Sequence, residues 1–285
     1  MARRKKSTPL FTPSKIIVIA IIIAGCLFIS RSKASTDDNH PGQPAETESN
    51  ANFGYLLDVK IPAETPSFWK QYRGMDISFN PEAHIPNYVA WELTAEEADG
   101  KEPRANSFRA DSDVEGCAET WDYSYSGYDR GHMAPAGDMK WDKKAMEETF
   151  YLTNIAPQDK ALNTGAWRTR EEKCRVWARS LGHIYIVCGP VIDGNPEEYI
   201  GDTRVYVPRK FFKVVIAPDA PQPMGIGFIM PNSKVEGGMQ KAAVTIDSVE
   251  SLTGFDFFHS LPDELERDIE SQCNFNRWAT LTKSK

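Results

Sequence analysis

The sequence has no apolar run as long as the roughly 17–25 residues that a membrane-spanning helix requires. Its longest, residues 16–30, stops at fifteen, which excludes a polytopic membrane protein. Nineteen glycines in 285 residues are too few for a collagen-like chain. A composition of 41% hydrophobic and 26% charged residues is that of an ordinary globular protein, not of a wholly disordered one. No internal repeat divides the chain. Residues 1–33 contain seven of the 33 basic residues and no acidic residue. Beyond them positive charge is what is scarce: 26 basic against 40 acidic residues leave a net of −14. A domain that acidic does not hold a polyanion passively by bulk charge, so any polyanion must be met by a local basic patch or a metal ion.

What is present falls into three segments. Arg3, Arg4, Lys5, Lys6 and Lys15 precede the apolar residues 16–30, the layout of a targeting segment over residues 1–34. Ile23, Ala24, Gly25 and Cys26 are similar to a bacterial lipobox, although Leu27, Phe28 and Ile29 continue the apolar run past the cysteine. The reading is an uncleaved or lipidated anchor, with secretion after cleavage near Ala34 as the alternative. Each version places the rest of the chain outside the cytoplasm, at the cell envelope if it stays anchored. Residues 35–52 contain no aliphatic side chain larger than alanine and no aromatic, so they cannot bury a core and read as a disordered linker. Residues 53–285 are long enough for one well-buried domain.

Within that domain, short apolar or β-branched runs bounded by Gly, Pro or Asn predict strands at 88–93, 150–155, 183–188, 211–217 and 225–230. Helices are predicted at 143–149, 162–181 (closed by Gly182), 246–253 (closed by Gly254) and 262–271. Strands and helices do not alternate regularly, so the expected class is α+β around a mixed or antiparallel sheet. Cys117, Cys174, Cys188 and Cys273 permit two disulfides in an exported domain, with three connectivities; buried free thiols are the other reading.

The residues with chemical content lie in two stretches. In DRGHMAPAGDM (129–139), His132 stands among an acid, a base and a glycine instead of on an apolar face. About twenty residues later come YLTNIAPQ (151–158) and LNTGAW (162–167). Asn163, Trp167, Glu171 and Arg175 then recur at intervals of four, one slowly turning stripe on a helix. An amphipathic helix with an exposed Glu171/Arg175 pair accounts for the stripe but not for Asn163 at its head, since asparagine is a poor helix former. Its amide oxygen is a reasonable ligand for a hard cation.

These strings, in this order and spacing, resemble the sugar-non-specific DNA/RNA endonuclease family, which includes secreted bacterial nucleases and mitochondrial endonuclease G. The resemblance implies a ββα-metal active site in a larger α+β domain and hydrolysis of phosphodiester bonds in DNA and RNA. His132 matches the family's general base and Asn163 its direct Mg²⁺ ligand, with Mn²⁺ able to substitute. Asn154 resembles the supporting asparagine, Glu171 the acid that reaches the metal through water, and Arg175 a phosphate-binding arginine. Arg130 is expected near phosphate, and Asp129 is expected to orient its neighbours. Arg104 resembles an upstream arginine near the scissile phosphate. A homodimer is compatible with the resemblance.

The chemistry agrees with these roles. Neutral His132 can take a proton from water near pH 7, and a single cation with one protein ligand suits an ion that keeps several waters. Residues 163–180 hold five basic and two acidic side chains, a local excess of positive charge. Nothing resembles a zinc finger or an aromatic-rich RNA-binding strand, so little sequence specificity is expected. Two other classes compete: an exported peptidase with Cys188 as nucleophile beside His132, and a non-catalytic nucleic-acid-binding module.

Overall fold

Runs of aromatic and β-branched residues form the centre of the molecule, because their side chains fill both faces of a pleated sheet that is covered on each side. The computed structural model describes residues 57–194 and 196–282; the readings of residues 1–34 and 35–52 therefore lie outside the described residues. Eleven strands occur among them: β1 (Phe68–Gln71), β2 (Asp76–Asn80), β3 (Ile85–Thr94), β4 (Asp129–His132), β5 (Ile155–Gln158), β6 (His183–Pro190), β7 (Tyr199–Ile200), β8 (Val205–Tyr206), β9 (Lys210–Ala217), β10 (Met224–Pro231) and β11 (Ala243–Val244). Seven of them form one sheet in the order β1-β2-β3-β6-β9-β10-β11. Every neighbouring pair in it is antiparallel. The helices are α1 (Ala95–Ala98), α2 (Lys143–Glu148), α3 (Arg168–Leu181), α4 (Gly238–Ala242), α5 (Ile246–Thr253), α6 (Asp263–Glu270) and α7 (Phe275–Thr280). Among the described residues no helix is long and apolar enough to cross a membrane.

Alternation along the strands divides the core into two layers. Ile186 and Cys188 of β6 and Val215 of β9 point to the layer that holds Trp167 together with Cys174 and Trp177 of α3. Tyr185, Val187, Val214 and Ile216 point to the other, where Ile246 and Val249 of α5 and Ile269 of α6 cover them. Outside the large sheet, β4 and β5 pair antiparallel, with His132 opposite Ile155. The chain then turns into α3, so these two strands and this helix form a ββα unit on the α3 side of the sheet. The α+β class and the antiparallel sheet flanked by helices are as the sequence predicts.

Two expectations are corrected. Residues 150–155 do not form a strand: Tyr151 makes an isolated bridge to Arg109, Leu152–Asn154 is a turn of 3₁₀-helix, and β5 starts only at Ile155. The Asn154 side chain bonds the backbone of Ala134 and Thr149, and this holds the segment out of a ladder. The cysteines Cys117, Cys174, Cys188 and Cys273 are all free, so the two permitted disulfides are absent. Cys174 and Cys188 serve as small apolar side chains in the core.

Candidate active site

His132 is the last residue of β4, and its carbonyl accepts a hydrogen bond from Trp167 Nε1 at 2.9 Å, which ties the strand to the start of the long helix. The ring packs edge-on to Phe150 (5.0 Å between centroids) and tilted against Phe108 (5.3 Å). It is only 9% exposed, and its Nε2 is buried with no hydrogen-bond partner. Arg104 stacks on the other ring of the pair, 5.1 Å from the centroid of Phe150. Burial, joined by the Arg104 charge, pushes the imidazole down to about 3. The ring is thus a neutral base throughout the physiological range.

Asn163 sits in a stretch of π-helix, Leu162–Trp167, that runs directly into α3. Its amide nitrogen donates to Asp129 Oδ2 at 3.0 Å, leaving the carbonyl oxygen as the acceptor end of the group. Asp129 therefore orients Asn163, as the sequence suggests. The wider π turn breaks the interval-of-four stripe: Trp167 turns into the core, and Arg168 and Glu172 join Asn163, Glu171 and Arg175 along the cleft. Arg175 donates to Asp138 Oδ1 at 2.7 Å, and Asp138 is fully buried and also accepts from Trp91 Nε1. Gly137 makes room for this pair, since a Cβ there would stand 2.7 Å from Arg175 Nη1. Burial pushes the Glu171 carboxyl up to about 7, with Lys213 opposing and Asp138 adding to the rise.

Arg104, Arg130, His132, Asn163, Glu171 and Arg175 line one cleft of about 380 Å³. Arg130 is held there by a 2.7 Å bond to the carbonyl of Thr120 and by the rings of Phe108 and Tyr123. Asn154 is the exception. It is fully buried and does not line the cleft; its amide bridges Ala134 and Thr149. A larger cleft of about 460 Å³ lies near Asn80, Asn87 and Tyr206. Its asparagines are already committed, Asn80 to Glu82 and Ala83, Asn87 to Pro66 and Ser78.

Four arginines against two glutamates make the smaller cleft a site for an anion. The amide oxygen of Asn163 and the carboxylate of Glu171 are hard oxygen donors, a set that fits Mg²⁺ retaining most of its waters. The peptidase reading fails, because Cys188 is buried, its thiol is pushed up to about 11 by burial, and its Sγ lies 3.3 Å from the Met133 carbonyl. A thiol in that state does not supply a thiolate nucleophile.

Sequence reasoning passed over Asp138, Phe108, Phe150 and Lys213. Asp138 stands within the DRGHMAPAGDM string and was there to be singled out. Lys213 is the lone charge in the apolar run of β9; it is fully buried, with Nζ 4.5 Å from the Trp167 ring and 5.0 Å from that of Trp91. Burial alone would lower its pKa, but the titratable groups around it, Cys188 and Cys174 first and then Glu171 and Asp138, outweigh that and raise it. The two phenylalanines carried no signal beyond their apolarity.

Comparison with known proteins follows the same line. The family described as DNA/RNA non-specific endonuclease matches residues 56–264. Mitochondrial nuclease EXOG of Mus musculus is 31% identical over 252 residues, 82% of this chain and 66% of that protein, so the match spans just under two thirds of the relative. Mitochondrial endonuclease G of Homo sapiens is 34% identical over 64% of this chain and 66% of its own length. A solved structure of an EndoG/EndoGI complex superposes with a TM-score of 0.65 at 27% identity, covering 77% of this chain and 96% of that one.

Proposed function

Because the chain belongs to the DNA/RNA non-specific endonuclease family, we propose that it hydrolyses phosphodiester bonds within DNA and RNA, with His132 as general base and one Mg²⁺ held by Asn163. The observation that carries this is the buried, unpartnered Nε2 of His132 in a cleft walled by Arg104, Arg130, Arg168 and Arg175. A neutral imidazole accepts the proton of an attacking water, and its own packing against Phe108 and Phe150 sets the direction from which it does so. Arg175, braced by Asp138, and Arg130, braced by Thr120, receive phosphate oxygens without having to reorganise. The cation, when bound, neutralises charge on the scissile phosphate and the leaving oxygen. Asn163, oriented by Asp129, would hold it directly, and Glu171 would hold it through water. Asn154 keeps the loop after His132 in place and touches no substrate. The cleft wall offers charges suited to phosphates, which position a strand without reading bases, so cleavage follows little sequence preference.

Purified full-length protein incubated with plasmid DNA and with RNA is expected to degrade both in Mg²⁺ or Mn²⁺ and neither after exhaustive chelation. Full activity in excess EDTA, or cutting at a single sequence, contradicts the proposal. Binding without cleavage in Mg²⁺ would instead favour the non-catalytic module. Residues 1–34 are proposed, on sequence alone, to export the domain and attach it to a membrane, with 35–52 as tether; fractionation that finds the folded protein in the cytosol with Met1 intact refutes this. Self-association as a homodimer is read out by light scattering on the same preparation.

A further inference from the structure

Two glycines of β10 decide how α5 and α6 sit on the sheet face away from the cleft. A Cβ at Gly225 would stand 2.6 Å from Ile269 Cγ2 and 2.9 Å from Ile246 Cδ1, and one at Gly227 would stand 2.8 Å from Val249 Cγ2. Without side chains there, both helices settle onto the strand and Ile246, Val249 and Ile269 enter the buried layer. This docking brings Asp247 and Glu250 of α5 to Glu270, the last residue of α6: a carboxylate oxygen from each lies within 4.8 Å of the other two.

An acidic cluster alone requires no ligand. Glu270 supplies the second observation. It is 6% exposed, and its Oε1 is buried without a hydrogen-bond partner. Leaving such a group unmet is costly. Lys60, near enough to act on Glu266, pairs with Asp256 at 3.4 Å. Burial, with Glu250, Glu266, Asp247 and Asp256 adding, pushes the Glu270 carboxyl up to about 9. Glu250 is itself held in place, since its Oε1 accepts the N–H of Phe257 at 2.9 Å.

We propose that Asp247, Glu250 and Glu270 form a second divalent-cation site, of the Ca²⁺ class, that clamps α5 to α6 on the sheet face opposite the nuclease cleft. Carboxylate oxygens within 4.8 Å of one another can share one Ca²⁺, whose ligands at about 2.4 Å stand at most about 4.8 Å apart. Three carboxylates on two helices suit Ca²⁺, which accepts six to eight oxygens in flexible geometry and takes its remaining ligands from water.

The test melts metal-stripped full-length protein with and without about 10 mM CaCl₂, in the range of weak extracellular calcium sites. The wild type is expected to gain about 3–8 °C in Tm. Asn163→Ala, altered in the cleft, gains as much. Glu270→Gln and Asp247→Asn lose the gain, while Asp247→Asn keeps plasmid cleavage in Mg²⁺ within about twofold of wild type. Asp247 is exposed, so its variant remains informative even where Glu270→Gln fails to fold. No shift in the wild type overturns the proposal, and so does an equal shift in Asp247→Asn. A shift lost in Asn163→Ala but kept in Asp247→Asn assigns the ion to the cleft and likewise overturns it.

Discussion

The ring of His132 lies against two phenyl rings and near a guanidinium, and both surroundings act against its protonation. An ordinary imidazole has a pKa near 6.5; the buried setting lowers that of His132 to about 3. In the free protein its ring resonances are therefore expected to stay those of neutral imidazole down to about pH 4, and a histidine NMR titration with a midpoint near 6.5 contradicts this. His132→Ala is expected to lower kcat about 10²–10⁴-fold. Because the ring is packed and not exposed, the variant also loses about 1–2 kcal/mol of stability, so the rates are compared well below its melting temperature. Near-normal kcat in the folded variant removes His132 from the mechanism. At Asn163 and Glu171 the order of effects is the test. Asn163→Ala should weaken the Mg²⁺ dependence of cleavage more than Glu171→Gln, whose loss is expected in the 10–100-fold range of water-mediated contacts. The opposite order in a Mg²⁺ titration reverses the assignment of the ligand.

At the scale of elements, the π turn at Leu162–Trp167 sets the aim of the site. It adds a residue to one turn, which lets Trp167 reach the His132 carbonyl in the core while the Asn163 amide bonds Asp129. Deleting Gly165, whose Cα faces open space, allows the segment to continue as ordinary α-helix. That rotates Asn163 by about 100° relative to α3. Cleavage is expected to fall at least 100-fold while the far-ultraviolet circular dichroism and Tm change little; retained activity shows the π turn to be incidental. The link between β4 and β5 depends on Asn154 in a different way. Asn154→Ala leaves the Ala134 N–H, the Ala134 carbonyl and the Thr149 carbonyl without this partner inside the core. A stability loss of about 2–4 kcal/mol is expected by urea unfolding, larger than that of His132→Ala. A smaller loss than His132→Ala would mean that the amide is not what braces the loop.

For the whole molecule, His183 links parts of the sheet that are distant in sequence: its Nδ1 lies 3.2 Å from Glu92 on β3 and its Nε2 2.6 Å from Asp219 beyond β9. The contact with Glu92, opposed by burial and joined by that with Asp219, raises it to about 9. A pKa raised on folding adds stability that is fully present below the unfolded value of about 6.5 and is lost as pH rises through about 9. Discounted for its partial exposure, the contribution is about 1 kcal/mol. Wild type minus His183→Gln should show it in urea unfolding at pH 6.5 and vanish by pH 10; a difference that does not change with pH removes the ion pairs from the account. Much of this architecture was legible in the chain. The apolar runs of β3, β6, β9 and β10 and the capped helices α3 and α5 lie where they were expected, because local preference and burial agree there. The polar strand β4 was not, since Asp129–His132 has no hydrophobic alternation and becomes a strand only by pairing with β5. By itself the sequence determined the class and, through the resemblance of its motifs, the family, and it singled out His132 and Asn163 as candidates for the site. Only the tertiary structure decided that Asp138 braces Arg175, that Lys213 is buried behind Glu171, that Asn154 stands apart from the cleft and that the cysteines stay free. Each of those depends on which side chains from remote segments share one low-dielectric space, and spacing along a chain does not contain that information.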